Sequence, residues 1–351
     1  MARFGSLDGL RALSIVPVVW HHATPHPLDG ALGRGPLGVD LFFAISGFLI
    51  TTLLLRERDD GTIDLRGFYV RRTLRIFPLY YVVLGAFIVH ALFFREPGPT
   101  RDHFLASLPS YATYTSNWFV DNAVSHAVVF SFAWSLATEE QFYLGFPWLL
   151  RFTKGILPAV LFMTAVVLVD QGAERGWIDA GPLATRMMKS LATPIALGSL
   201  AALALRSPIA KAMRTVLGSK ASAPIVLALL AAGVILPWSV LTVHVLMTAL
   251  VVACCLREDH WLAPLLASRP LRHVGLVSYG IYLVNVPCVQ LAKRLSDSTL
   301  VVFALGLVFS IALASLTHVL VEKPFLALRN GTATRRPLGF GGRRIGVFSG
   351  E

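Results

Sequence analysis

Long apolar runs alternate with short polar stretches along this chain from about residue 10 to residue 320. A helix of about 20 residues, rising about 1.5 Å per residue, crosses a hydrocarbon core of about 30 Å. Ten runs predict membrane helices, at residues 10–24, 37–55, 76–94, 127–150, 156–169, 191–205, 223–236, 240–256, 274–291 and 300–320. The apolar stretch at residues 104–114 is too short and broken to predict another.

The charged residues lie mostly between the runs. With ten spans, alternate loops fall on one side, and that side holds the basic segments: the N-terminus, the loops at 56–75, 151–154, 206–220 and 257–273, and the C-terminal tail. The positive-inside rule then puts both chain ends in the cytoplasm. An eleventh span at 104–114 would break this pattern, so the sequence predicts an all-α, polytopic membrane protein with ten transmembrane helices.

Composition supports this fold class. The 351 residues are 55% hydrophobic and 15% charged, whereas soluble domains carry about 25% charge, and the mean hydropathy is +0.65. The net charge of +11 follows the loops and forms no basic stripe with interleaved aromatics, which argues against nucleic-acid binding. We predict a membrane domain at 1–328 and a basic, disordered tail at 329–351. The three cysteines lie in apolar segments without metal-ligand spacing, which predicts core packing and no metal.

Two adjacent carboxylates, Glu139 and Glu140, lie inside the fourth apolar run. A charge at the centre of a membrane helix costs about 3 kcal/mol on insertion scales, so such residues face a protein interior or a water-filled cavity. Neighbouring side chains on a helix point about 100° apart, so one is expected to face the interior and the other a second helix or a lumen. An ion pair that only holds helices together is the alternative.

The first predicted helix offers a partner for these carboxylates. Arg11 lies at its cytoplasmic end and His22 near the outer face, about 16 Å further along the axis. A buried glutamate beside a histidine fixes the tautomer and makes the imidazole a better base. His21 is a competing candidate, since neighbours on a helix point about 100° apart and only one of the two can face the interior. A structural role for His22 also stays open. Asp40, near the outer end of the second helix, is either a second acid or a charge stabilised by the helix dipole.

Arg72 and Arg75 are three positions apart and share a face if their segment is helical. Two guanidiniums on one face form a fork for phosphate, although simple anchoring in a positive-inside loop is the alternative. No nucleotide-binding glycine loop is present in the sequence, which argues against ATP-driven chemistry. His90, His244 and His318 show no paired spacing, and we interpret them as structural.

Six stretches, in order along the chain, resemble those of the acyltransferase-3 family of bacterial integral-membrane O-acyltransferases. They are Leu-Asp-Gly-Leu-Arg at 7–11 with His22 beyond it, Gly-Val-Asp-Leu-Phe-Phe-Ala-Ile-Ser-Gly-Phe-Leu-Ile at 38–50, Arg-Arg-Thr-Leu-Arg-Ile at 71–76, Trp-Ser-Leu at 134–136 with Glu-Glu-Gln-Phe-Tyr at 139–143, Ser-Tyr-Gly-Ile-Tyr-Leu at 278–283 and Val-Glu-Lys-Pro-Phe at 321–325.

This resemblance implies ten helices with both ends inside a bacterial cytoplasmic membrane. It also implies transfer of an acyl group, commonly acetyl from acetyl-CoA, to a hydroxyl of a carbohydrate: surface polysaccharide, peptidoglycan, a lipid-linked sugar or the sugar of a macrolide. It makes His22 the catalytic histidine, Arg11 its motif partner and Glu139 the acidic residue. Asp40, from its position near the outer end of the second helix, is a further catalytic candidate.

For the donor side, the resemblance assigns Arg72 and Arg75 to the acyl-CoA, and we place Arg11 with them as a candidate for donor binding. One position departs from the pattern, because Asn285 stands where many members carry a histidine, and an amide cannot titrate. We expect the chain to be the bare membrane module of the family.

Two other readings compete with an enzyme. A transporter or exporter of a sugar or drug would show broken helices, a midplane ion site and repeats. The polar candidates instead gather in the outer halves of the first, second and fourth helices, above a basic pair, which favours a reaction chamber. A non-catalytic membrane partner of a glycan-synthesis complex would bind no CoA.

Overall fold

The computed structural model describes residues 5–24, 33–120, 130–236 and 238–332. Within these ranges the chain is helical and contains no strand. The helices are α1 (Gly5–Ala23), α2 (Leu37–Asp59), α3 (Leu65–Phe93), α4 (Pro99–Ala106), α5 (Leu108–Ala112), α6 (Ser116–Phe119), α7 (Ala133–Phe152), α8 (Leu157–Glu174), α9 (Pro182–Lys189), α10 (Thr193–Ala204), α11 (Ala210–Leu217), α12 (Ser222–Ile235), α13 (Val240–Leu256), α14 (Ala263–Leu266), α15 (Arg269–Leu276), α16 (Ser278–Lys293), α17 (Thr299–Thr317) and α18 (Lys323–Thr332), with a π-helical turn at His318–Glu322 between the last two. The predicted all-α class is confirmed.

Each predicted apolar run falls on a helix of the structure, namely α1, α2, α3, α7, α8, α10, α12, α13, α16 and α17. The stretch at 104–114 is broken at Ser107 into the short helices α4 and α5, as its mixed composition predicts. The three cysteines are buried and unbridged, and they pack in hydrophobic clusters as expected. Of the predicted disordered tail, α18 covers residues up to Thr332, and residues 333–351 lie outside the described ranges.

Length and hydropathy identify fewer membrane spans than ten among the described residues. Four helical segments qualify: Leu37–Asp59, Leu65–Phe93, Leu157–Glu174 and Thr299–Leu328. Three bent pairs, α9 with α10, α11 with α12 and α15 with α16, raise the total to seven if each pair is one span. The protein is therefore a helical membrane protein, while the count of ten spans and the cytoplasmic position of both ends stay predictions.

The basic segment at 56–75, predicted as a loop, is largely helical, so that prediction was wrong. α2 continues to Asp59 and α3 begins at Leu65, where the Asp64 carboxylate accepts a hydrogen bond of 2.9 Å from the Gly67 amide. Asp is a preferred N-cap, and arginine is a good helix former. Arg72 and Arg75 therefore lie on α3, and the condition for their sharing one face is met.

The ninth predicted helix, at 274–291, is not one continuous helix. α15 and α16 meet at Val277 with a bend of 77°. A Cβ on Gly275 would lie 1.8 Å from the Asp8 carbonyl oxygen, so α15 packs directly against the backbone of α1. This contact is made between segments far apart in sequence, which is why the hydropathy pattern did not indicate the bend.

Helix α2 is the centre of the bundle, because it contributes to three hydrophobic clusters of the described residues. Phe43 packs in a cluster with α1, α3, α7 and α16. Ile45 and Phe48 pack with α10, α12 and α13, and Ile50 and Leu54 pack with α3, α7 and α8. Packing in all three clusters positions the polar side chains that α2 carries.

Two glycines let α2 and α10 approach closely. A Cβ at Gly47 would lie 2.1 Å from the Ile195 carbonyl oxygen, and one at Gly198 would lie 2.3 Å from the Ala44 carbonyl oxygen. Small residues at a helix crossing are the usual device for close packing in membranes. The backbones of the two helices therefore touch at this crossing without an intervening side chain.

Replacing Gly47 with alanine should destabilise the protein, since both contacting atoms belong to backbones that must move apart. We expect a loss of about 1–3 kcal/mol, as for overpacked cores, measured as a lower melting temperature in detergent. The matched control is Gly85→Ala on α3, where no atom lies within 4 Å of the added Cβ, and alanine there improves helix propensity. Equal melting temperatures for the two variants would contradict the close crossing.

Candidate active site

Charged side chains from four elements meet inside the bundle. Arg75 is close enough to Arg11, Arg72 and Glu322 for electrostatic interaction, and Glu140 is similarly close to Glu139 and Arg72. We call these six residues, Arg11, Arg72, Arg75, Glu139, Glu140 and Glu322, the charged cluster. It joins α1, α3, α7 and the π-helical turn, so residues predicted separately from distant motifs come together in space.

Glu139 is held by two hydroxyl groups. The Ser46 hydroxyl from α2 and the Tyr143 hydroxyl from the next turn of α7 both donate to its Oε1 atom. These bonds tie α7 to α2. No hydrogen bond joins the Glu139 carboxylate to the His22 ring among the described residues, and orientation of His22 by Glu139 stays a prediction.

Glu140 lies in a different environment on the same helix. It is half-buried and forms no hydrogen bond or ion pair with another described residue. Its electrostatic neighbours are Glu139 and Arg72, together with hydroxyl groups of a tyrosine group made up of Tyr80, Tyr81, Tyr114 and Tyr279. Of the two adjacent carboxylates, Glu140 is therefore the one for which neither oxygen is hydrogen-bonded to a described residue, whereas Glu139 holds two hydroxyls on Oε1.

Arg72 is oriented by aromatic rings. Its guanidinium carbon lies 4.7 Å from the centre of the Tyr143 ring and 6.0 Å from that of Phe68. Cation–π contacts of this kind fix the plane of a guanidinium while leaving its N–H groups able to donate. Because Tyr143 also holds Glu139, the tyrosine links the acidic and the basic parts of the charged cluster.

Arg75 and Arg11 complete the basic part. Arg75 follows Arg72 by three positions, so their side chains point about 60° apart on α3. Arg75 is exposed. Arg11 of α1 and Glu322 of the π-helical turn are nevertheless close enough to interact with its charge. We therefore place Arg75 in an opening between these helices. Arg11 forms an ion pair of 3.3 Å with Asp8 on α1. Three guanidiniums near one opening suit a polyanionic group such as phosphate.

His22 lies one residue before the end of α1, on the same face as Arg11, because eleven positions at about 100° per residue bring the two side chains to within about 20°. Its carbonyl oxygen accepts a hydrogen bond of 2.9 Å from Lys293 on α16. Its ring is half-buried and lies 5.5 Å from the ring of His21. The His21 side chain begins close to Gly35 and points to a different side of α1. Of the two histidines, only His22 shares the face of Arg11.

Asp40 faces a different side of α2. Its carboxylate lies 3.1 Å from His244 Nε2 on α13, and both side chains are largely buried. On α2, Asp40 points about 120° away from Ser46, the residue that contacts Glu139. It is in the first turn of the helix, where the dipole stabilises an anion. The structure therefore brings Asp40 to His244, a histidine that the sequence indicated only as structural.

Other predicted positions also have defined contacts. His318 lies 3.2 Å from Glu322 across the π-helical turn, and His90 stacks on Phe94. Asn285 is fully buried, and its amide donates to the carbonyl oxygens of Ile281 and Tyr282. Across the described ranges, no group of three or more His, Cys, Asp or Glu side chains could hold a metal ion.

The sequence missed Ser46, Tyr143 and the tyrosine group as site residues. Ser46 and Tyr143 both lie within motifs recognised in the sequence. Tyr143 could have been found from its spacing, because it follows Glu139 by four residues and so lies one helical turn away. Tyr114 lies in the mixed stretch before residue 121 that gave no pattern. Its position near Glu140 depends on how α5 and α6 fold over α3, which no local spacing indicates.

These features define a helical membrane protein with a cluster of carboxylates and guanidiniums contributed by several of its helices. The chain belongs to the acyltransferase-3 family, because residues 4–319 match the model of that family, described as an acyltransferase domain. The expectation drawn from the six motifs is therefore confirmed at the level of the family.

Curated relatives extend the comparison. The chain is 31% identical to the "Putative peptidoglycan O-acetyltransferase YrhL" of Bacillus subtilis over 91% of this chain and 54% of that protein. It is 28% identical to the "Peptidoglycan O-acetyltransferase OatA" of Listeria monocytogenes over 84% of this chain and 50% of that protein. The chain thus matches about half the length of these relatives. No solved structure matches it.

Proposed function

We propose that this protein is a membrane-embedded O-acyltransferase of a bacterial cytoplasmic membrane, which moves an acetyl group from acetyl-CoA to a hydroxyl of a carbohydrate. The observation that carries the proposal is the charged cluster, in a chain that belongs to an acyltransferase family. Basic residues for a polyanionic donor lie beside carboxylates and hydroxyls suited to proton transfer. Similarity to proteins named as peptidoglycan O-acetyltransferases makes peptidoglycan the first acceptor to test.

The donor phosphates are proposed to bind Arg72 and Arg75, with Arg11 nearby. Guanidinium forks bind phosphate oxygens through charge-assisted hydrogen bonds. The exposed position of Arg75 between helices supports entry of the donor at this opening. The thioester then extends into the space lined by Glu140 and the tyrosine group.

His22 is proposed to remove the proton from the acceptor hydroxyl. The hydroxyl oxygen attacks the thioester carbonyl carbon, the C–S bond breaks, and the departing thiolate takes the proton back from the imidazolium. A route through an acyl-histidine is the alternative. One imidazole nitrogen attacks the thioester carbonyl carbon, the C–S bond breaks, and the thiolate takes the proton from the other ring nitrogen. The acceptor oxygen then attacks the acyl carbon, the C–N bond breaks, and the hydroxyl proton passes to the departing imidazole. Glu140 is proposed as the acid that handles a proton of the reaction, and Asp40 is a further acid only if His244 releases it.

The proposed function is tested by mass spectrometry of cell-wall glycan from cells with and without the protein. We expect a gain of one acetyl mass per modified sugar when the full chain is present, and none in cells that carry the His22→Ala variant. The purified full chain in lipid nanodiscs should release free CoA from acetyl-CoA when a glycan acceptor is added. Transport of a sugar without release of CoA would contradict the proposal.

Arg72→Ala should raise the KM for acetyl-CoA. Loss of a charge-assisted hydrogen bond costs about 1.5–3 kcal/mol, which corresponds to a rise of roughly 10- to 100-fold. The control is Arg66→Ala, since Arg66 is exposed on the same helix and the substitution removes the same charge. If both variants behave alike, or neither changes the KM, the arginines only anchor α3 at the membrane surface.

A further inference from the structure

The tyrosine hydroxyls of the bundle are almost all hydrogen-bonded. Those of Tyr80 and Tyr81 donate to carbonyl oxygens of the segment that follows α4, at 2.7 and 2.8 Å. Tyr279 donates to Ile76, at 2.9 Å, and Tyr282 to Phe132, also at 2.9 Å. Tyr69 and Tyr143 are likewise satisfied, by the Leu144 carbonyl and by Glu139. Two buried hydroxyls, those of Tyr111 and Tyr114, have no hydrogen-bond partner among the described residues.

Tyr114 differs from Tyr111 in its surroundings. The hydroxyl of Tyr114 is close enough to Glu140 and Tyr279 for electrostatic interaction, whereas no charged neighbour reaches that of Tyr111. The Tyr114 side chain is 7% exposed, and its ring stacks on Tyr80 with centres 4.4 Å apart and on Phe77 at 5.3 Å. The ring is thus clamped by stacking, and its buried hydroxyl lies near Glu140.

The backbone of Tyr114 is also strained. Its φ is +54°, in the left-handed region. Among the non-glycine residues of the described ranges, only Tyr114 and Ala192 have a positive φ. Such a conformation costs about 1–3 kcal/mol and persists where surrounding contacts impose it. Here the contact is made by Gln141, whose amide donates to the Tyr114 carbonyl oxygen at 2.9 Å and also bonds Asn117. Gln141 follows Glu140 directly, so the segment that carries the acid also holds the strained tyrosine.

Tyr114 also belongs to the hydrophobic cluster that contains Ile15 and Val19. These two residues lie on α1 between Arg11 and His22. Tyr114 and the middle of α1 are therefore parts of one hydrophobic cluster.

We propose that the Tyr114 hydroxyl is a catalytic hydrogen-bond donor, which binds the carbonyl oxygen of the acyl donor as that oxygen gains negative charge. The inference rests on the proposed acyl-transfer function. A buried hydroxyl without an acceptor costs free energy in the empty protein, and a substrate oxygen that takes its hydrogen bond recovers this cost. A donor fixed in place by stacking and by Gln141 needs no reorganisation during the reaction, which is the condition for strong stabilisation of an oxyanion.

The test is steady-state kinetics of Tyr114→Phe in nanodiscs, with acetyl-CoA as donor and a soluble peptidoglycan glycan fragment as acceptor. Removing one oxyanion donor lowers kcat by roughly 100- to 1,000-fold, and we expect this with both KM values unchanged. The matched control, Tyr111→Phe, removes the other unpartnered hydroxyl and should leave kcat within about twofold. Since phenylalanine keeps both ring stacks, the melting temperatures of both variants should equal or exceed that of the wild type.

The possible results separate the two proposals. If the wild type releases no CoA with any acceptor, the proposed function fails. If the wild type is active and Tyr114→Phe keeps its kcat, or changes only the acceptor KM, the role of Tyr114 as an oxyanion donor is overturned. Equal losses in Tyr114→Phe and Tyr111→Phe would also overturn it, since the effect would then be one of packing. Should Tyr114→Phe not fold, fluorotyrosine at position 114 keeps the shape and strengthens the donor, and an unchanged kcat would reject the proposal.

Discussion

Replacing His22 with alanine is expected to abolish acyl transfer. General-base catalysis contributes about 10²–10⁴ in rate, and an acyl-histidine route would lose the nucleophile altogether. The side chain lies at the end of α1, half-buried, and Lys293 contacts the His22 carbonyl oxygen rather than the ring. The substitution leaves that contact in place, and we expect the variant to insert in the membrane while CoA release falls by at least 100-fold.

His21→Ala is the matched control for this variant. It removes the same ring from the adjacent position, on the face of α1 that packs toward Gly35 instead of the face of Arg11. We expect His21→Ala to retain most of the activity. The opposite order, with His22→Ala active and His21→Ala inactive, would assign the chemistry to His21. If both variants kept their activity, neither histidine of α1 would take part in the reaction.

Much of the fold follows from hydropathy alone. Ten apolar runs each correspond to a helix, because burial of a continuous apolar stretch in a membrane requires internal backbone hydrogen bonds. The errors occur where polar residues are helical or where contacts between distant segments decide. Arginines at 66–75 suggested a loop, although Asp64 caps a helix there. The bend at Val277 follows from the packing of α15 on α1, a contact that no run of residues predicts.

The geometry of the candidate residues was predicted within single motifs and missed where distant motifs meet. The spacing of Arg72 and Arg75 correctly indicated one helical face. Adjacent carboxylates indicated different environments for Glu139 and Glu140, as observed, but not which environment each one has. That assignment depends on Ser46, which α2 brings to Glu139. The pairing of Asp40 with His244 likewise joins residues 204 positions apart.

Substitution of the two carboxylates by glutamine should separate their roles. Glu139 receives the hydroxyls of Ser46 and Tyr143 on a single oxygen, Oε1. The carbonyl oxygen of glutamine has two lone pairs and can accept both hydrogen bonds. Glu139→Gln should therefore keep the tie between α2 and α7, with kcat within about fivefold of the wild type and a small change in melting temperature.

Glu140→Gln should have the larger effect on catalysis. Glu140 makes no hydrogen bond with a described residue and lies near Arg72 and Tyr114, so its carboxylate is available to a substrate. A group that handles a proton contributes about 10²–10⁴ in rate, and we expect kcat to fall by roughly 100-fold while the fold is retained.

The same kinetic assay in nanodiscs compares the two variants directly. The opposite order, with Glu139→Gln inactive and Glu140→Gln active, would return the acidic role to Glu139, as the family motif implies. Glu139→Ala adds a structural reference, because it removes the acceptor of both hydroxyls and frees the Tyr143 ring beneath Arg72. That variant should lower the melting temperature and raise the KM for acetyl-CoA together, whereas Glu140→Gln should change kcat alone.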